Sequence, residues 1–115
     1  MSKNDSIINL EQLNAVTRGM ADRERRYLEQ FTQLCADRSS VLKDARSSED
    51  RELIKKTIHS LRPQLLFFGV KDTKHELEKL QLQADNLSWS EIDDSLNQVL
   101  NQMDKAVVEV KSMLD

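Results

Sequence analysis

Proline occurs once and glycine twice in 115 residues, and these two residue types supply most of the breaks between elements in a folded chain. A sequence so short of them runs in long segments, and the segments that run longest without interruption are helices. Aromatic residues make up 4%, hydrophobic residues 38% and charged residues 32%. That mix suits amphipathic helices and leaves too little aromatic and β-branched material for a sandwich or barrel. The expected fold class is all-α. A chain of this length buries about two-thirds of its unfolded surface, so residues 7–115 are expected to form a single domain behind a polar, flexible start at residues 1–6.

The formal net charge of -3 gives no field that would gather nucleic acid or anionic lipid, and neither is expected as a partner. Cys35 is the single cysteine, which excludes an internal disulfide framework and fits a reducing compartment. No apolar leader opens the sequence and no apolar run is long enough to cross a bilayer. The expected location is the cytoplasm.

Leu10, Leu13, Val16 and Met20 recur at helical spacing over a short stretch that Gly19 interrupts, which predicts a short first helix. From about Asp22 to Arg46, Leu28, Phe31, Leu34, Cys35, Leu42 and Ala45 form one apolar stripe. Ser47 and Ser48 are placed to cap the next helix, with Glu49 and Asp50 in its first turn, and Gly69 closes that helix after Phe68. Asp72 or Thr73 caps the following one, whose stripe Val70, Thr73, Leu77, Leu80 and Ala84 runs to about Asn86. Ser88 and Glu91 read as a capping box with Leu87 stapled on Ile92. The last helix then carries Ile92, Leu96, Val99, Leu100, Met103, Val107, Val110 and Leu114 to the end of the sequence. Together these predict an antiparallel up-down four-helix bundle with a short additional N-terminal helix.

On a helical wheel at about 100° per residue, Ile54, Ile58, Leu61, Leu65 and Phe68 cluster roughly 215° from His59. His59 is therefore expected to face solvent. Lys55 and Lys56 share its face one turn before, Arg62 and Pro63 one turn after, and Leu66 two turns after, with Phe67 on the flank. An exposed imidazole, several cations and an unburied apolar patch on one solvated face describe a docking surface around a nucleophile. Imidazole, with an ordinary pKa near about 6.5, is largely neutral at pH 7 and can attack phosphorus without an auxiliary base. The resulting phosphoryl group carries about two negative charges, which Arg62, Lys55 and Lys56 are placed to compensate. No Gly-rich loop or Walker-type lysine motif occurs, so the phosphoryl group is expected to come from another protein.

The stretch Ile58–Val70 resembles the motif of the histidine-containing phosphotransfer family: histidine, a hydrophobic residue two later, a basic residue three later and glycine ten later. His59, Leu61, Arg62 and Gly69 match that spacing. Leu77 and Leu80 fall where the family has apolar residues on its next helix, and Leu13, Gly19 and Phe31 resemble its first helix, its turn and an aromatic of its second helix. The similarity covers about Leu10 to Leu114. It implies a stand-alone phosphorelay intermediate, not a conventional enzyme, that accepts a phosphoryl group on the distal nitrogen of His59 from the aspartyl phosphate of one receiver domain and passes it to another. The implied partners are receiver domains of a hybrid histidine kinase and of a response regulator, and magnesium would sit on the receiver. This chain would need no cofactor. Arg62 would neutralise phosphoryl oxygens, while Pro63, Gln64, Leu66 and Phe67 would contact the receiver.

Two positions depart from the family pattern. Arg62 stands for the usual lysine, which keeps the charge but presents a planar fork. Pro63 stands for the usual glycine, removing the N–H that would bond the His59 carbonyl and implying a kink. One alternative is a helical adaptor that binds a partner through the same patch without phosphotransfer. Another is a detached substrate domain resembling that of a chemotaxis kinase. His75 reads as a surface histidine, Cys35 as core, Trp89 as packing at a helix start, and no residue set has the spacing of a metal site.

Overall fold

The computed structural model describes residues 6–115, which form five helices and, among the described residues, no strand. They are α1 (Glu11–Thr17), α2 (Ala21–Ser47), α3 (Arg51–Phe67), α4 (Lys74–Gln83) and α5 (Trp89–Leu114). At about 1.5 Å per residue the 27 residues of α2 reach about 40 Å, close to the 44 Å long axis of the molecule. The long helices are thus the length of the fold. α2 packs on α3 and α5, and α4 also packs on α3 and α5, which closes a ring of helix contacts; α1 lies against α2.

The apolar stripes fill the interior of that ring. Phe31 and Leu42 of α2, Ile54, Ile58, Leu61 and Leu65 of α3, Leu77 and Leu80 of α4, and Ile92, Val99 and Met103 of α5 are all essentially inaccessible to solvent. Phe31 meets Phe68 with ring centroids 4.3 Å apart. Cys35 is buried as well, and burial followed by the nearby Asp104 charge pushes its thiol up to about 12, which leaves it an inert core residue. The stripe expected of the first helix holds at Leu13, whereas Val16 and Met20 are about half exposed. Ile8 and Thr17 take the buried positions instead.

The ends of the elements follow local chemistry, with corrections at α3 and α4. Ser48 belongs to the end of α2, its hydroxyl donating back to the Asp44 carbonyl, and Glu49 adopts a left-handed φ of 53° outside any helix. Asp50 is the cap of α3, its carboxylate accepting from the Leu53 N–H at 3.0 Å. An aspartate at that position satisfies an otherwise orphaned N–H and favours the helix dipole. Thr73 occupies the cap position of α4, yet its hydroxyl donates to the Val70 carbonyl and caps nothing; α4 ends at Gln83, three residues short of the expected Asn86. The capping box of α5 is present in both directions: Glu91 N–H donates to the Ser88 hydroxyl and Ser88 N–H donates to the Glu91 carboxylate, each at 3.1 Å. The guanidiniums of Arg46 and Arg51 both lie over the Trp89 ring, 4.7 and 4.2 Å from its centre. Arg46 pairs with Asp93 across α2 and α5, and Arg51 donates to the carbonyls of Ala84 and Leu87 in the α4–α5 turn.

Residues before α1 form a strap over the α3–α4 turn. Asn9 N–H donates to the Phe68 carbonyl at 3.0 Å and Lys71 N–H to the Ile7 carbonyl at 2.9 Å. Gly69, at φ 61°, sits beneath it so closely that a Cβ there would come 2.6 Å from that of Asn9. Of the polar start at 1–6, residues 1–5 lie outside the described residues, and the Ser6 hydroxyl donates to the Glu109 carboxylate at 2.6 Å.

Candidate functional site

Burial of Ile54, Ile58, Leu61 and Leu65 against the interior turns the opposite face of α3 outward, and His59 is exposed on it. Lys56, Pro63, Gln64 and Leu66 are exposed on the same helix, while Lys55, Arg62 and Phe67 are partly covered. α3 runs unbroken through Pro63. A groove of about 530 Å³ opens beside the imidazole, lined by Asp50, Glu52, Leu53, Lys55, Lys56, His59 and Gln81. Lys55 and Lys56 therefore share a concave surface with the histidine.

The neighbouring helix completes the site. Glu78, Gln81 and Asp85 follow one another along α4 and its end, flanking the buried Leu77, Leu80 and Ala84. Gln81 Nε2 lies 2.8 Å from His59 Nδ1 and its Oε1 lies 3.3 Å from Arg62 Nη1. Glu78 holds Arg62 Nη2 at 2.9 Å. Lys55 Nζ is bonded to Asp85 at 2.8 Å and Glu52 at 2.7 Å, and those two carboxylates, Asp85 foremost, hold its pKa above the ordinary lysine range. Two of the three cations assigned to the site thus already carry carboxylate partners. Lys56 makes no ion pair among the described residues. On the α2 side, Arg38 Nε donates to the Ser60 hydroxyl at 3.2 Å.

Apolar surface extends toward α1 and α2. Phe67 lies against Tyr27, ring centroids 6.1 Å apart, and Tyr27 joins Val16, Arg23, Arg26 and Gln30 around a second groove of about 430 Å³. Leu66, Tyr27, Val16 and Met20 are the exposed large apolar residues of this part of the molecule. Elsewhere, His75 is exposed on α4, and among the described residues no group of three or more His, Cys, Asp or Glu is placed to hold a metal ion. No helix of the described residues is long and apolar enough to cross a membrane.

Sequence reasoning on α3 alone missed Gln81, Glu78 and Asp85. Their signal is the flank they share at positions 78, 81 and 85, one polar stripe beside the apolar one. Which helix that flank faces depends on packing. Compared with protein-family models, curated proteins and solved structures, the chain shows no match.

Proposed function

We propose that this chain is a histidine phosphotransfer protein, in which α2, α3, α4 and α5 form an antiparallel up-down bundle with α1 as an additional helix and His59 carries the phosphoryl group. The observation that carries this reading is the placement of His59 itself. It is an exposed imidazole whose Nδ1 is engaged by Gln81, so the ring is oriented by the protein while the other nitrogen has no protein partner among the described residues. A phosphoryl group on that distal nitrogen would project into the space beside Lys55, Lys56 and Arg62.

The phosphoryl donor is the aspartyl phosphate of a receiver domain, and a second receiver, with its own magnesium ion, takes the group on. A phosphoryl group with about two negative charges outcompetes a single carboxylate for a guanidinium fork, so the Glu78 pair holds Arg62 in place without removing it from use. Leu66, Phe67 and Pro63, with Gln64 at their edge, supply the contact that brings the receiver to the histidine, and the complex is transient because a carrier must release each partner.

A second reading, a helical adaptor without phosphotransfer, draws on the engagement of Lys55 and Arg62 by carboxylates and on the apolar surface at Val16, Tyr27 and Leu66. Incubation with phosphorylated receiver domains decides between them. The expected result is acid-labile, base-stable phosphate on the chain that is absent in His59→Gln. An unlabelled parent that binds a receiver as tightly as His59→Gln does would establish the adaptor instead.

A further inference from the structure

The Gln81 amide is pinned at both ends, and its orientation has a consequence for the proton on His59. Guanidinium groups donate and never accept, so the Gln81 atom that faces Arg62 Nη1 at 3.3 Å is its oxygen. The nitrogen of the amide is then the atom 2.8 Å from His59 Nδ1, and it donates there. Nδ1 accepts, which places the proton of the neutral imidazole on Nε2. In that tautomer the outward nitrogen has no lone pair to offer a phosphorus atom. No carboxylate or other base bonds to Nε2 to remove its proton among the described residues. Behind the arrangement stands Glu78, which fixes the other side of the Arg62 fork at 2.9 Å.

We propose that Glu78, acting through Arg62 and Gln81, holds free His59 in the Nε2–H tautomer, and that transfer of Arg62 to an incoming phosphoryl group turns the Gln81 amide over and releases the Nε2 lone pair. The proposal rests on His59 as the phosphoryl acceptor. Once Arg62 leaves, the Gln81 oxygen is free to face Nδ1 and accept from it, and His59, exposed to solvent, exchanges its proton from Nε2 to Nδ1 through water. The Nε2 lone pair then forms the N–P bond, the P–O bond to the aspartyl carboxyl breaks, and the carboxylate leaves with that electron pair. The Nδ1 proton stays on the ring and is donated to Gln81 Oε1, so no base is consumed. Glu78 and Gln81 are positioning residues in this scheme. Their effect is to couple the nucleophile to the presence of a phosphoryl group and to hold it idle toward other electrophiles.

Long-range proton–nitrogen correlation spectra of the nitrogen-15-labelled full chain read the tautomer directly at about pH 8.5, two units above the ordinary imidazole pKa. His75, exposed and with no polar partner among the described residues, is the internal reference for an unconstrained ring. The expected result is a larger Nε2–H fraction at His59 than at His75, reversal to Nδ1–H in Gln81→Glu, whose carboxylate can only accept, and an intermediate position in Glu78→Gln. A His59 tautomer ratio equal to that of His75, or unmoved in Gln81→Glu, overturns the proposal. As a second readout, Glu78→Gln is expected to speed labelling of His59 by phosphoramidate about two- to fivefold, the worth of one partly exposed ion pair; an unchanged or slower rate overturns the gating role. The spectra need no phosphoryl donor, so a constrained tautomer in a chain that no receiver labels would overturn the phosphotransfer reading and leave the tautomer assignment standing.

Discussion

At the scale of single residues the two glycines do different work despite similar backbones. Gly19 and Gly69 both adopt left-handed φ, 73° and 61°, a region that costs a residue with a side chain about 1–2 kcal/mol. Gly19 has no atom within 4 Å of the place a Cβ would occupy, whereas at Gly69 that place is 2.6 Å from Asn9 Cβ and 2.8 Å from the Asn9 carbonyl oxygen. Gly19→Ala is therefore expected to lose about 1 kcal/mol from backbone strain alone. Gly69→Ala must in addition displace the strap at Ile7–Asn9, and urea denaturation should show it losing at least about 1 kcal/mol more. Equal losses at the two positions would show that the strap moves aside freely. Spacing alone identified both residues as helix terminators, since glycine after an apolar stripe is a local signal. The approach of Asn9 to Gly69, sixty positions apart, is tertiary and left no mark in the local pattern.

At the scale of the element, α3 is the segment in which local preferences conflict with one another. Its core face follows the apolar period, its cap is an aspartate and its end a glycine, all of which favour the helix. Pro63 opposes them by removing one ladder hydrogen bond in the turn that carries His59. Pro63→Ala restores the missing N–H and should raise stability by about 1–3 kcal/mol in chemical denaturation. If Pro63 also shapes the docking face, the same variant changes the rate or the partner preference of phosphotransfer from a receiver domain. A more stable variant with unaltered transfer would mean that the proline serves neither. The position of His59 on the outer face was legible because the wheel needs only the sequence of α3. Its caps were less so: Ser47, Ser48, Glu49 and Asp50 all suit a helix start, and the choice of Asp50 depends on how far α2 runs on before the turn.

At the scale of the whole molecule, the ring of helices is tied by a few polar links laid over the apolar interior. Arg46 joins α2 to Asp93 of α5, and Glu91 caps α5 through Ser88. The Arg46 hydrogen bond holds the Asp93 carboxyl below its usual range, and hydrogen bonding from Ser88, the backbone N–H foremost, does the same for Glu91. Both groups have folded pKa values below their unfolded ones, so what they contribute is complete above the unfolded carboxyl pKa of about 4 and is lost as pH falls through the folded values. The urea midpoint should accordingly be level from about pH 7 to 5 and drop below about pH 4. Asp93→Asn should lower it at pH 7 and flatten the acid limb. An acid limb as steep as that of the parent would assign the acid sensitivity to other carboxylates.

Helical class, the stripes that become the interior and the outward placement of His59 all follow from periodicity and from the shortage of residues that break helices. Those are properties of neighbours in sequence, governed by 3.6 residues per turn. Which flank of α4 meets which flank of α3 is settled only when the stripes are buried together. That packing brings Gln81 to His59, Glu78 to Arg62 and Asp85 to Lys55, over separations of 16 to 30 residues that no local period links. The histidine was thus readable from the sequence, while its hydrogen-bond partner and the engagement of its cations came from the docking of two helices.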